Sequence, residues 1–370
     1  MLAIAIAVLV SPVNSDCWAE SPNRRAVAKI TAVGPGGQGH AEAMVAAEKL
    51  RQIPSEQLPV VYDAMDTPNV IARNWLRGLA ADIVRRSGNP DDEVLETYVL
   101  DRTRNGTGRT EALRQFRRQN PTAADEIIAA SLNDPSLGIR ELAVDAAIED
   151  ADSIDSEDAK VTRLTEVLSS ARHPRQLQRL ISSLRDLGSD VTTQSALAML
   201  VQWQACAPFD NRGGIGFDTV YPPEQTFVQT GDVDLEATHD GKNGDVQWQQ
   251  VEGDQESGFV DVAAVYDREK GAVAYLFTTV EVGFPRDAQV RLTTKNANKV
   301  WVNGTEVMAN EVYHSGSVLD QYIADCELLE GTNRILIKLC QNEQTEGWAQ
   351  EYQCQCRLTT PEGETIDPSL

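Results

Sequence analysis

The first half of the chain spaces its apolar residues as amphipathic helices do. From about Ala41 to Trp203, apolar positions recur every three or four residues, and breaks rich in Pro, Gly or Asp separate the runs. One run comprises Val70, Trp75, Leu76, Leu79 and Ile83. The spacing predicts a series of helices joined by short turns over residues 41–204.

The breaks between these helices recur at intervals of about 40 residues. Asp134-Pro135-Ser136 precedes Arg140 and an apolar run, and a related break at His173-Pro174 follows 39 positions later. The segment that begins at Asp134-Pro135-Ser136 resembles the inter-helix turn and second helix of a HEAT repeat. Helical pairs at this period are typical of an α-solenoid, so HEAT-like repeats are predicted for 41–204. His173 is expected to cap a helix at the surface.

Helical spacing stops at Trp203-Gln204-Ala205, and alternating runs with turn residues take over. The predicted strands are 245–251, 258–265, 272–282, 289–294, 299–302, 306–308, 320–328, 334–339 and 351–358. Asn303-Gly304 between two of them predicts a hairpin, because both turn residues need positive φ. The pattern predicts an antiparallel, jelly-roll-like β-sandwich over 205–370. The fold class is therefore α + β in separate domains.

Charge argues against a nucleic-acid partner. The formal net charge is −23, and 11 basic against 28 acidic residues lie beyond residue 204. Such a surface repels phosphate backbones. The short basic cluster at Arg114, Arg117 and Arg118 is interpreted as a solvated helix face.

The N-terminus predicts export. An unbroken apolar run from Leu2 to Val10 is too short to span a bilayer but suits the core of a signal peptide over 1–19. A buried N-terminal helix is the alternative. Residues 20–40 are predicted to be a flexible leading segment, and no later segment is predicted to cross a membrane. The mature chain is thus expected in the periplasm or outside the cell.

Removal of the signal peptide with Cys17 leaves five cysteines, all in the second half. They are Cys206, Cys326, Cys340, Cys354 and Cys356. Their pairing cannot be deduced from the sequence. Cys354 and Cys356 share one face of a strand, so they are not expected to pair with each other.

Two stretches of the chain resemble known families, and the first lies in the predicted sandwich. Trp301-Val302-Asn303-Gly304, Asp320 and the run 329–336 resemble the sugar-binding β-sandwich found beside glycoside hydrolase catalytic domains, which has a galactose-binding-like fold. Such domains are often non-catalytic. The resemblance implies a fold and a binding role, and no hydrolase barrel accompanies it in this chain.

A second resemblance covers nearly the whole chain. The segments that carry it are 74–77, 207–211, 221–224 and 340–348. They look like those of a family of exported HEAT-repeat proteins of planctomycete-type bacteria. This likeness implies the two-part architecture and export, and it assigns no chemistry.

A candidate ligand face follows from the residue types that bind sugars. Aromatic faces stack on sugar C–H surfaces, while amides and carboxylates bind the hydroxyl groups. The residues predicted to form this face are Trp301, Tyr313, His314, Asp320, Gln341, Asn342 and Trp348. The competing interpretation, favoured by the burial of most strand tryptophans, makes Trp301 and Trp348 packing residues.

Two further motifs are interpreted structurally. Residues 34–39 match G-x-G-x-x-G, but the acidic residue and βαβ unit of a dinucleotide site do not follow, so a flexible loop is favoured. Calcium would suit the oxygens of the turn that carries Asp232, Asp234, Asp240, Asn243 and Asp245. Without EF-hand spacing, an acidic surface turn is favoured, and no metal site or cofactor is predicted.

The sequence contains no recognisable catalytic motif. Its four histidines form no paired ligand spacing, and no serine lies in a G-x-S-x-G elbow. The first hypothesis is a non-catalytic exported scaffold with a protein partner on the repeats and a glycan on the sandwich. The second is a structural interaction protein in which the sandwich caps the repeats. The third is a hydrolase with carboxylates near Asp210 and Glu224.

Overall fold

A computed structural model describes residues 22–367. The predicted signal peptide lies outside the described residues. The chain divides into two compact units, 22–147 and 148–367. Helices fill the N-terminal part and antiparallel sheets the C-terminal part, as the α + β prediction requires. The helical spacing predicted that residues 148–200 belong to the repeats, but they fall in the second unit. The predicted boundary at 204/205 lies within the first strand of that unit.

Eleven helices precede the first strand in the described residues. They are α1 (Pro22–Thr31), α2 (His40–Leu50), α3 (Leu58–Asp63), α4 (Val70–Ser87), α5 (Asp92–Leu100), α6 (Gly106–Gln119), α7 (Pro121–Ala129), α8 (Leu137–Asp152), α9 (Glu157–Ser170), α10 (Pro174–Asp186) and α11 (Thr193–Leu197). Across residues 22–367, no helix combines the length and apolar character needed to cross a bilayer.

The prediction of a flexible leading segment over residues 20–40 is wrong for the described residues, which form a helix and a 3-10 turn. Pro22–Thr31 is a helix that buries Ala26, Val27 and Ile30. The glycine motif forms a 3-10 turn at Pro35–Gly37, and Gly39 with φ of +70° precedes α2. Without a preceding strand, this motif lacks the βαβ setting of a dinucleotide site.

A buried ion pair supports the core of the first unit. Arg109 binds Asp134 through two hydrogen bonds of 2.7 and 2.9 Å, and its Nε donates to the carbonyl of Val99 at 2.8 Å. Asp134 Oδ1 also accepts from the Ser136 amide at 2.8 Å, and its carbonyl accepts from Arg140 Nε at 2.9 Å. The carboxylate and the carbonyl of Asp134 thus both hold the turn between α7 and α8 in place.

The second unit contains three sheets. Its remaining elements are β1 (Gln202–Asp210), α12 (Pro222–Thr230), β2 (Thr238–Gly241), β3 (Gly244–Gln247), β4 (Gln249–Glu252), β5 (Val260–Asp261), α13 (Val262–Val265), β6 (Ala272–Val282), β7 (Arg286–Thr293), β8 (Ala297–Val302), β9 (Thr305–Asn310), β10 (Tyr322–Leu328), β11 (Gly331–Gln341) and β12 (Gln353–Thr359). The orders are β4-β1-β6-β11-β8-β9, β10-β7-β12-β5 and β2-β3, with antiparallel neighbours.

The six-stranded sheet is covered on both faces. Ile335, Ile337 and Leu339 of β11 share one hydrophobic core with β7, β10 and β12 of the four-stranded sheet. Leu336 and Cys340, which alternate with them, pack in a second cluster with Phe227 of α12 and with residues of β1, β3 and β8. Each side of β11 therefore lies in a core.

Local predictions met mixed outcomes. Asn303 and Gly304 have φ of 49° and 83°, which confirms the hairpin between β8 and β9. His173 caps α10 by accepting from the Arg175 amide at 3.3 Å, as predicted. The predicted strand 258–265 is wrong over most of its length, since only Val260–Asp261 pairs and a helical turn follows. Strands β1 and β2 and helix α12 were not predicted.

Candidate functional site

The structure separates the seven residues of the predicted ligand face into two groups. His314 contacts both Trp348 and Asn342, and Tyr313, its neighbour in the chain, accepts a hydrogen bond from Asn211. We call His314, Asn342 and Trp348 the Trp348 patch. Trp301, Asp320 and Gln341 are buried and use their side chains within the protein.

Trp348 is presented to solvent by a short, anchored turn. It lies in the 3-10 turn Gly347–Ala349, and 57% of its surface is exposed. The Ala349 carbonyl accepts from Gln341 Nε2 at 2.9 Å and from Lys270 Nζ at 2.7 Å. Gln341, predicted as a ligand residue, therefore holds the turn that carries Trp348. The predicted packing role of Trp348 does not fit this exposure.

His314 supports the indole ring from the side. The two rings meet edge to face, with centroids 4.8 Å apart and an interplanar angle of 84°. His314 Nε2 is 2.9 Å from Asn342 Oδ1, and the same oxygen accepts from the Gln344 amide at 3.2 Å. Because this oxygen acts as an acceptor, His314 donates through Nε2. The φ of His314 is +55°, a conformation that non-glycine residues seldom adopt.

Asn211 connects this region to the sheet. Its side chain is buried and donates to the Tyr313 hydroxyl at 3.2 Å and the Gln341 carbonyl at 3.0 Å. Its Oδ1 accepts from the Gly216 amide at 2.9 Å. Burial raises the pKa of Tyr313. Sequence reasoning did not single out Asn211 as a site residue, because an asparagine after a strand carries no signal of such a role.

Trp301 is a packing residue, as the competing interpretation held. It is 2% exposed and packs in the cluster that includes Phe209, Tyr275 and Leu336. Its position on β8, opposite Leu336 of β11, places the indole on the covered face of the six-stranded sheet. It therefore does not lie in the Trp348 patch.

Asp320 is committed to a buried ion cluster. Both of its carboxylate oxygens accept from Arg357, and Oδ2 also accepts from Arg291 Nη1 at 2.8 Å. Burial alone raises the pKa of Asp320, but the hydrogen bonds and charges of Arg357 and Arg291 outweigh it, so the pKa is lowered. A carboxylate held in this way is not free to bind a sugar hydroxyl.

The two carboxylates of the hydrolase hypothesis are also engaged. Asp210 pairs with Arg212 through bonds of 2.8 and 2.6 Å, and these hydrogen bonds lower the pKa of Asp210 to about 2. Glu224 is buried, and its Oε2 accepts from Tyr275 at 2.7 Å and Lys338 at 2.8 Å. Each carboxylate thus has a cation or hydroxyl partner in the protein.

Lys338 is the buried charge that sequence reasoning missed. It is fully buried and donates to the carbonyls of Phe217 and Thr219 at 3.0 and 2.8 Å, besides Glu224. These contacts join β11 to α12 and to the loop before it. The available signal was that Lys338 shares a strand face with the apolar Leu336 and Cys340, which indicates that this face is covered as well.

One aspartate of the acidic turn is engaged in an ion pair, and the cysteines of the described residues do not pair with one another. Asp232 pairs with Arg334 at 2.8 Å, and within 22–367 no group of three or more His, Cys, Asp or Glu side chains could hold an ion. The five cysteines named above are free thiols. Burial raises the pKa of Cys206, Cys340 and Cys354 to about 12 and that of Cys326 to about 11.

Comparison with known proteins does not identify a family for this chain. No protein-family model matches the chain, and no curated protein matches it. Among solved structures that match, the GH31 alpha-xylosidase from Xanthomonas citri is 11% identical, with a TM-score of 0.18. The match covers 30% of this chain and 14% of the xylosidase chain. At that TM-score the likeness supports no conclusion about fold or activity.

Proposed function

We propose that this protein is a non-catalytic binding protein whose Trp348 patch recognises carbohydrate. The observation that carries the proposal is the exposed indole of Trp348, which His314 and an anchored turn hold in place. A large exposed aromatic ring that is also fixed in position is suited to stacking on a flat apolar surface. Pyranose rings present such surfaces.

Polar groups beside the ring suit the hydroxyl groups of a sugar. Asn342 and Gln344 are joined by a 2.9 Å hydrogen bond, and Glu343 is exposed on the same loop. Amide and carboxylate groups at the rim of an aromatic face would fix the orientation of a bound sugar. Because the patch is open, the proposal favours one or two residues of a glycan chain over an enclosed monosaccharide.

The engagement of Asp210 and Glu224 supports a binding role over hydrolysis. Glycoside hydrolysis needs two carboxyl groups that face one scissile bond. Asp210 is bound by Arg212, and Glu224 is buried under Lys338 and Tyr275. Neither matches an acid or nucleophile that is open to a substrate.

The finer architecture belongs to the same proposal. The Asp134 turn, with Arg109 and Arg140 bound to it, supports HEAT-like repeats that present a surface to a protein partner. The two sheets that share one core support a jelly-roll-like, galactose-binding-like sandwich. We further propose export and membership of the planctomycete-type HEAT-repeat family, for which the support is the sequence resemblance.

A glycan screen with the full chain tests this function. Wild-type protein is compared with Trp348→Ala and with Phe284→Ala, a control at an exposed aromatic residue that lies outside the Trp348 patch. The proposal expects one or more glycans to bind wild type and Phe284→Ala but not Trp348→Ala. If no glycan binds folded wild-type protein, the carbohydrate proposal fails and the structural hypothesis takes its place.

A further inference from the structure

A cavity lies in the unit formed by residues 148–367, apart from the Trp348 patch. Its volume is about 320 Å³, and α9, α10, α11, β12 and the segment after β12 contribute to its lining. One part of the lining is aliphatic, with Leu168, Leu177 and Leu197. Another part is polar, with Arg172, Arg357 and Thr365. The cavity therefore combines an apolar wall with guanidinium groups.

The polar part rests on the buried ion cluster of Asp320. Arg357 is 1% exposed and donates to Asp320 through Nε and Nη2. Its Nη1 donates to Thr365 Oγ1 in a longer hydrogen bond of 3.3 Å. Arg291 binds the same carboxylate at 2.8 Å, and its buried Nε has no hydrogen-bond partner. One carboxylate thus serves two buried guanidinium groups, which leaves positive charge in excess.

Arg172 adds a third cation at the cavity. Its Nη1 donates to the carbonyls of Ser169 and Ala171 at 2.7 and 2.9 Å, and its Nη2 is 3.9 Å from the exposed carboxylate of Glu364. Gly363 lies next to both Arg172 and Arg291, because a Cβ there would be 3.0 Å from Arg291 Nη2 and 3.5 Å from Arg172 Cβ. Arg172, Arg357 and Glu364 line the cavity, and the Asp320 carboxylate joins Arg357 to Arg291 behind it.

We propose that this cavity binds a small carboxylic acid. Its carboxylate would lie against Arg172 and the Nη1 side of Arg357, where a planar guanidinium matches a carboxylate in shape and charge. Its short apolar body would lie against Leu168, Leu177 and Leu197. The aliphatic wall favours a monoanion with an apolar part over inorganic phosphate, whose oxygens would all need polar partners. Glu364 competes with the ligand for Arg172.

The test is a calorimetric titration of the full chain with hexanoate, with hexanamide as the neutral analogue of the same size. Hexanoate is expected to bind and hexanamide to bind at least about tenfold more weakly, because a charged hydrogen bond is lost. Arg172→Gln is expected to weaken hexanoate binding about tenfold. Arg179→Gln, at a half-exposed arginine on α10 that pairs with Asp152, is the matched control and should leave binding unchanged.

A second variant keeps the proposal testable if Arg172→Gln fails to fold. Glu364→Gln removes an exposed competing carboxylate and should tighten hexanoate binding roughly twofold to threefold. Equal binding of hexanamide would overturn the proposal, as would binding of inorganic phosphate in place of hexanoate. Equal weakening by Arg179→Gln, or no gain from Glu364→Gln, would overturn it as well.

Discussion

His314 meets Trp348 edge to face, with ring centroids 4.8 Å apart. It also forms a hydrogen bond with Asn342, which lies on the same loop as Trp348. The contact joins the loop after β9 to the loop after β11, two segments that the sequence alone does not bring together. It fixes an indole that is otherwise open to solvent. The proposed carbohydrate face depends on this contact and on the hydrogen bond by which Gln341 anchors the turn.

Replacement of the imidazole should loosen the Trp348 patch without unfolding the protein. His314→Asn is the informative change, because asparagine tolerates the φ of +55° that alanine would disfavour. Loss of the ring contact, worth about 1 kcal/mol, should weaken glycan binding severalfold. Titration of a glycan that binds wild type measures the effect, and the melting temperature serves as the control. Unchanged affinity in the folded variant would contradict a supporting role for His314.

Removal of the Asp320 charge should destabilise the fold. Asp320→Asn leaves Arg291 and Arg357 buried without their counter-ion and should cost about 3–5 kcal/mol of unfolding free energy. Urea unfolding at pH 7 measures this cost. A loss below about 1 kcal/mol would show that the cluster contributes little.

The same residue predicts an acid dependence of stability. The folded pKa of Asp320 is lowered, so its contribution is present above the unfolded value of about 3.9 and is lost as the pH falls through the folded value. Wild type should therefore lose more stability than Asp320→Asn between pH 5 and pH 3. Parallel pH profiles of the two proteins would contradict this linkage.

Much of the sheet region follows from the sequence, because alternation and turn chemistry are local signals. The strand pattern of β6 and β11 and the Asn303-Gly304 turn were predictable in this way. The Trp348 patch was predictable only as residue types, because its assembly needs two loops to meet. Trp301 and Asp320 are also of residue types that bind sugars, but they are buried by packing that the sequence does not reveal.

The missed elements have physical reasons of their own. β1 begins within a run that was assigned to the end of the helical part, and its pairing with β4 and β6 is long-range. α12 begins at Pro222, where two prolines suggest a loop, although proline is favoured in a first helical turn. The burial of Lys338 depends on α12. Because this helix was not predicted, the burial of Lys338 was not predicted either.

The Lys338–Glu224 pair should behave as a unit. Lys338→Met leaves the buried carboxylate of Glu224 with Tyr275 as a neutral partner and should cost about 3–5 kcal/mol. The double variant Lys338→Met with Glu224→Gln removes both charges and should recover much of that loss. Urea unfolding of the single and double variants measures the coupling. Additive losses would contradict a paired role.

The free thiols should be inert in the native state. Burial raises the pKa of Cys206, Cys340 and Cys354 to about 12, so thiolate is scarce at pH 8. With Cys17→Ser in place, thiol labelling of folded protein should be on the order of a hundredfold slower than in denaturant. Rapid labelling of several thiols at pH 8 without denaturant would contradict their burial.

The most direct test of the central claim is calorimetric titration of wild type and Trp348→Ala with a glycan selected from the screen. Trp348→Ala should reduce affinity about fivefold to thirtyfold, since stacking on an exposed aromatic is worth on the order of 1–2 kcal/mol. Its unfolding free energy should stay within about 0.5 kcal/mol of wild type, and Phe284→Ala should bind normally. Glycan binding that survives Trp348→Ala unchanged would contradict the account.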